Sequence, residues 1–241
     1  MFPLKDDIPS RTTPFVTVGL IVVNVLVFLY QASLELSGDP HSARAAEAFI
    51  LEFGAVPCRL MGMCVTADAF PHPFVTVLTS MFLHGGLLHV GGNMLYLWIF
   101  GDNVEDTFGH GRFLLFYLLS GVAAAAAQVA AGPGSSVPMI GASGAVSGVL
   151  GAYLLLFPHA TILTLVTFVF FIRLVHIPAV IVLGFWIVVQ FFNGLGAFQT
   201  PTGPVQTPGG EGGVAWFAHI GGFLAGIALL LIVRPGRQSR L

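Results

Sequence analysis

The chain alternates long apolar runs with short polar or Gly/Pro-rich connections. Six runs approach or exceed the ~20 residues that a membrane-crossing helix needs. They are Phe15–Tyr30 with its flanks, Phe74–Phe100, Arg112–Ala131, Gly141–Phe157, Ile177–Phe192 and Val214–Val233. None carries an Asp, Glu or Lys in its interior. The second is unusually long and is interrupted by His84, His89 and Asn93. A further apolar run, Thr161–Leu174, ends at Arg173, His176 and Pro178; it reads as a membrane-hugging connection, with an extra span as the alternative. The pattern predicts an all-α membrane protein, a six-transmembrane-helix bundle in one polytopic unit. Residues 1–13 form a short first segment, about 14–233 the helical core and 234–241 a tail.

The connections differ in kind. The first, Ala32–Pro73, is long, with a stretch at Arg44–Phe53 that suits a short amphipathic helix. Its Cys58 and Cys64 are free either to pair or to stay apart. Ala131–Ile140 is too rich in Gly and Pro to be helical, and Gly194–Gly213 reads as a polar loop without helical pattern.

Composition supports lipid as the solvent. Charged residues make up 8% of the 241 residues and apolar residues 56%, whereas a soluble domain carries ~25% charge. The net charge of −2 leaves no basic face for nucleic acid. The bilayer is therefore the first expected partner, and oligomeric state is not legible. With six spans, one side holds Lys5, Arg11, Arg112, Arg173, Arg234, Arg237 and Arg240, and the other Arg44 and Arg59. The positive-inside rule then places both termini in the cytoplasm. Asp6, Asp7 and Pro9 precede the first apolar run, which is not the pattern of a cleavable signal.

Polar groups inside spans point to function, because lipid penalises them. They are His84, His89, Asn93, Ser143, Ser147 and His219. Ser143 lies 15 residues before Pro158 and His219 lies 15 before Arg234. At 1.5 Å per residue both stand roughly 22 Å above the inner face, and His89 and Asn93 roughly 14–20 Å above it. Three helices thus bring polar groups to one zone below the outer leaflet. His89 and Asn93 share a helix face at i,i+4. His84 falls ~140° from His89 on a regular helix, which suits a loop anchor better than a site member. His219, Gly222 and Gly226 form one stripe, and Gly144, Gly148 and Gly151 offer it a matching small surface.

Ser143 follows Gly141-Ala142 at a helix start, where unused N–H groups and the helix dipole favour negative charge. A serine near a histidine base, with an Asn amide at hand, has the parts for nucleophilic catalysis with an oxyanion hole. No carboxylate lies in the spans to orient the histidine, so the arrangement is a dyad. A histidine-based metal transporter using His84, His89 and His219 is the weaker alternative, since carboxylates and thiolates are missing from the set.

The stretches His84–Gly109 (HGGLLHVGGNMLYLWIFGDNVEDTFG), GASG at Gly141–Gly144 and AHIGG…G at Ala218–Gly226 resemble the rhomboid family of intramembrane serine proteases, in order and spacing from Pro9 to Val233. The resemblance implies a six-helix core, no metal or other cofactor, and transmembrane proteins as substrates. It implies Ser143 as nucleophile, His219 as base, and His89, Asn93 and the Ser143 N–H as oxyanion hole. His84 would tie down the first outer loop, and Glu105, Gly109, Gly222 and Gly226 would be structural supports. Two departures stand out. Ser147 occupies the place of a Tyr whose ring lies against the catalytic His in many members, and Cys58-Arg59 stands where a Trp-Arg pair is common. A catalytically silent relative that binds membrane clients is a further alternative, though such proteins typically lack the Ser or the His.

Overall fold

The apolar runs become helices in the computed structural model, which describes residues 2–35, 40–64, 71–168, 171–198 and 214–233. The helices are α1 (Phe15–Glu35), α2 (Pro40–Phe53), α3 (Pro57–Leu60), α4 (Pro73–Thr79), α5 (Leu87–Phe108), α6 (His110–Ala131), α7 (Ser143–Leu156), α8 (Ala179–Phe198) and α9 (Trp216–Val233). Proline opens α2, α3 and α4, where its missing N–H costs no helical bond. By length and composition α1, α6 and α8 each suffice to cross a membrane, while α7 and α9 are shorter apolar helices.

Burial is inverted relative to a soluble bundle. On α1 the buried stripe contains Thr17, Asn24 and Gln31, while Val22, Leu26 and Leu29 are exposed. Lipid is as apolar as leucine, so hydrophobicity does not select the interior; hydrogen bonds and close packing do. Helix α7 is the centre of the molecule, buried from Gly144 through Tyr153. It lies against α5, α6 and α9. Its contact with α9 is backbone to backbone: a Cβ on Gly222 would collide with the Gly144 carbonyl, and one on Gly226 with the Gly148 carbonyl.

Three expectations change. The chain is not all-α: strands β1 (Phe2–Asp6), β2 (Thr161–Phe168) and β3 (Phe171–Pro178) form an antiparallel sheet in the order β1-β2-β3. The apolar run after α7 is therefore a connection, as its first reading had it, but one built as a strand hairpin and not as an extra helical span. Its threonines, valines and isoleucines favour strand, and Ile162 and Thr164 turn inward with the period of two. The second apolar run is not one straight helix. Helix α4 and a 3₁₀ turn at Ser80–Phe82 meet α5 at 81°, with His84-Gly85-Gly86 at the break. Finally, α8 continues through Phe198, so the first residues of the expected Gly194–Gly213 loop are helical. The remainder of that loop, residues 199–213, and Arg234, Arg237 and Arg240 lie outside the described residues.

The Arg44–Phe53 stretch is helical, as part of α2, and 132–142 contains no helix. Cys58 and Cys64 form a disulfide. At the opposite end of the bundle, acidic residues of α5 hold the chain before α1. Glu105, fully buried, accepts from the N–H groups of Val16 and Thr17 (2.9 and 2.7 Å) and from the Thr17 hydroxyl. It thereby satisfies the first-turn donors that α1 cannot satisfy itself. Asp106 accepts from the N–H and hydroxyl of Thr12, and Asp102 from the Ser10 hydroxyl. Gly109, at φ 78°, joins α5 to α6 in a conformation that favours glycine.

Candidate active site

Ser143 is the first residue of α7 and is half-buried. The chain reaches it through Gly141, whose φ of +120° is left-handed and whose N–H donates to the Ser80 carbonyl at 2.9 Å. This turn aims the start of α7 at the start of α5. A Cβ built on Gly141 would lie 2.7 Å from Nε2 of His89 and 3.6 Å from Nδ2 of Asn93. Gly141 therefore lets two polar side chains come up to the backbone immediately before Ser143.

Hydrogen bonds fix what those side chains offer. Nδ1 of His89 accepts from the Gly85 N–H at 3.3 Å, so the proton of the neutral ring resides on Nε2, the atom next to Gly141. Nδ2 of Asn93 is buried and has no hydrogen-bond partner among the described residues. A buried amide donor without a partner is costly unless something else accepts from it. Two N–H donors thus converge beside the N-terminus of α7, whose own first-turn N–H groups the helix leaves unused.

His84 does not stand apart from His89. The break before α5 removes the regular-helix offset of ~140°, and the two rings meet edge-to-face at 5.0 Å. Nε2 of His84 lies 3.5 Å from the Ala142 N–H, while its backbone N–H donates to Gln31 Oε1 and its carbonyl accepts from Gln31 Nε2. It connects α1, the break and the turn before Ser143. Among the described residues no three His, Cys, Asp or Glu side chains gather as a metal-ligating group.

His219 is in the first turn of α9 and is buried. The Ala218 carbonyl lies 3.8 Å from where a Cβ on Gly144 would stand, so the residues next to His219 and Ser143 face each other across the α7–α9 seam. The Ala218 N–H donates to Gln128 Oε1 of α6, which steadies the helix start. Nδ1 of His219 lies 2.8 Å from Gln190 Oε1. The Trp186 ring lies 5.7 Å from the imidazole at 34°, and Trp216 stands edge-on at 6.3 Å. Ser147, one turn below Ser143, donates its hydroxyl to the Ser143 carbonyl at 2.6 Å and provides no ring. The aromatic surface against His219 comes from α8 instead.

Trp186, Gln190, Gln31 and Gln128 are absent from the polar set read off the sequence. The rule applied to His and Asn inside apolar runs, extended to Gln, finds Gln190 in the fifth run, four residues after Trp186.

A family model, the Rhomboid domain, matches residues 71–236, more than half of the chain. The chain belongs to the rhomboid family. Among its relatives, Rhomboid protease GluP of Bacillus subtilis is 45% identical over 78 residues, covering 32% of this chain and 15% of that protein. Rhomboid protein 1, mitochondrial, of Saccharomyces cerevisiae is 38% identical over 96 residues, covering 38% and 28%. RHOMBOID-like protein 4 of Arabidopsis thaliana is 34% identical over 167 residues, covering 66% and 34%. The matched part of the chain thus spans about a third or less of these relatives.

Proposed function

We propose that this rhomboid is an intramembrane serine endopeptidase that cleaves transmembrane segments of membrane proteins near the outer leaflet, with a dyad of Ser143 and His219. One observation carries the reading: the buried, unpartnered Nδ2 of Asn93 beside Gly141, two residues before a serine that opens a helix. Such a donor suits an oxygen that carries negative charge only while the reaction passes through its tetrahedral stage.

In this reading Nε2 of His219 takes the Ser143 hydroxyl proton as Oγ attacks the scissile carbonyl. The oxygen that becomes negative accepts from Asn93 Nδ2, His89 Nε2–H and the Ser143 N–H. The imidazolium then gives its proton to the leaving amine nitrogen as the peptide bond breaks. Water, deprotonated by His219, hydrolyses the acyl-enzyme and regenerates Ser143. The 14 residues of α7 span ~21 Å at 1.5 Å each, less than the ~30 Å of a bilayer core, so a helix flush with the inner face begins below the outer one. The six spans would be α1, α5, α6, α7, α8 and α9, with both termini cytoplasmic. Substrate access is lateral, beside α8. The cytoplasmic membrane is the proposed location; the yeast relative is named as mitochondrial.

The test is fluorophosphonate labelling of the protein in lipid, with mass spectrometry to locate the adduct, alongside cleavage of a model transmembrane substrate. Labelling at Ser143, and loss of cleavage in both Ser143→Ala and His219→Ala, support the dyad. Because the two act as one unit, the double variant is scarcely worse than either. Cleavage retained in Ser143→Ala, or abolished by EDTA in the wild type, overturns it.

A further inference from the structure

We propose that Gln190 is the positioning residue for His219, fixing through its side-chain oxygen which imidazole nitrogen is the base. The inference rests on the function proposed above and adds a third member to its dyad, from a different helix.

The orientation of the Gln190 amide is settled by its other end. Nε2 of Gln190 donates to the Trp186 carbonyl at 3.3 Å, which leaves Oε1 facing His219. A carbonyl-type oxygen only accepts, so Nδ1 of His219 carries the hydrogen and the lone pair of the neutral ring is on Nε2. His89 is held in the opposite state: its Nδ1 accepts from a backbone N–H, and Nε2 carries the proton. Two histidines of one site are thus set as base and donor by different partners, a peptide N–H in one case and a glutamine oxygen in the other.

Gln190 and Trp186 lie four residues apart on one face of α8, so the helix presents a ring against the imidazole and an acceptor at its edge. Where a carboxylate would hold the histidine in a soluble hydrolase, a neutral amide does so without placing a charge in lipid. The groups of α8 against His219, Trp186 and Gln190, are uncharged, as is Gln128 of α6 beside Ala218; among the described residues His89 of α5 is the titratable neighbour that acts on it.

Three variants test this in the full chain reconstituted in lipid. Gln190→Met keeps the volume and loses the acceptor. It should lower kcat about tenfold, the effect of losing one buried hydrogen bond, with KM and thermal midpoint little changed. Gln190→Glu keeps the acceptor and adds charge beside His219; it should recover much of kcat and move the acid limb of the kcat/KM profile to higher pH. Gln190→Leu serves as a second acceptor-free variant should the methionine side chain disturb the fold. A readout independent of turnover is the nitrogen-15 spectrum of selectively labelled histidines, assigned with His219→Ala. The wild type should show a protonated Nδ1 and a bare Nε2 for His219, and Gln190→Met a mixture of both tautomers. Wild-type kcat in folded Gln190→Met, or a bare Nδ1 in the wild type, overturns the proposal. Should Ser143 remain unlabelled and no substrate be cut, the proposed function fails, and the spectrum still decides the role of Gln190.

Discussion

The hydroxyl of Tyr153, near the end of α7, donates to the Asp6 carboxylate of β1 at 2.6 Å. Asn103 of α5 donates to the same oxygen at 2.8 Å. The first strand is therefore tied to the foot of the helix that begins with Ser143. Burial, reinforced by the nearby carboxylates Asp102 and Asp7, pushes the Asp6 pKa up from 3.8 to about 6, against the lowering effect of the Tyr153 bond. A raised acid binds its proton more tightly in the folded chain. Its contribution to stability is complete below about pH 4 and is lost as pH rises through about 6. Asp6→Asn preserves an acceptor for both donors and removes the charge. Its thermal midpoint should exceed that of the wild type at pH 7.5, by the equivalent of ~1 kcal/mol after allowance for partial exposure, and match it at pH 4. Equal midpoints at pH 7.5 would show that the carboxylate is not desolvated.

Asn93→Ala should lower kcat about 10²-fold while leaving KM nearly unchanged, because its amide is assigned to the transition state alone. Steady-state kinetics on a folded variant decide this; a rise in KM at constant kcat would make Asn93 a substrate-binding group instead.

Gly141→Ala should be as damaging as Asn93→Ala. The new Cβ meets φ +120° and stands 2.7 Å from the His89 Nε2, so backbone and donor are displaced together. Gly91→Ala, on the same helix as His89 but with no described residue within 4 Å of the added Cβ, should retain full activity. Comparable losses in both would point to a general sensitivity of α5 rather than to the turn.

Gly226→Leu should fail to assemble the bundle, since even a Cβ collides with the Gly148 carbonyl of the facing helix. Gly184→Leu on α8, where no described residue lies within 4 Å of an added Cβ, is the matched control. Protease resistance and thermal melts in detergent measure both; a stable Gly226→Leu protein would mean that α7 and α9 tolerate separation.

That most of the apolar runs fold as helices was legible in their length, and the polar residues within them stood out because lipid penalises such groups. The glycine stripes were legible for a related reason, as backbone contact leaves a spacing in the sequence. What escaped depended on pairing at a distance. Strand β1 has five residues and gains its identity from β2, more than 150 residues later. An apolar hairpin and an apolar helix share a composition, so 161–174 declared only that it avoided water. The bend before α5 came from His84-Gly85-Gly86 inside an apolar run, and the assumption of a regular helix pushed His84 away from His89. Gln190 was passed over because its partner His219 lies 29 residues away on another helix, and the sequence does not show which faces of α8 and α9 meet.

The ring closed by Cys58 and Cys64 lies in the connection between α1 and α4. Reducing compartments keep such thiols open, whereas the exterior of the cell and comparable compartments let them join. A bond that forms in the cell would therefore report which side of the membrane this connection faces, independent of any count of lysines and arginines. A copy threaded through the bilayer the other way up would offer the same two sulfurs to glutathione and lose the ring. Treating intact cells with an impermeant reductant and then an impermeant maleimide of known mass would read its address directly, since Cys58 and Cys64 are the two cysteines of the chain and gain the label only if the ring faces outward.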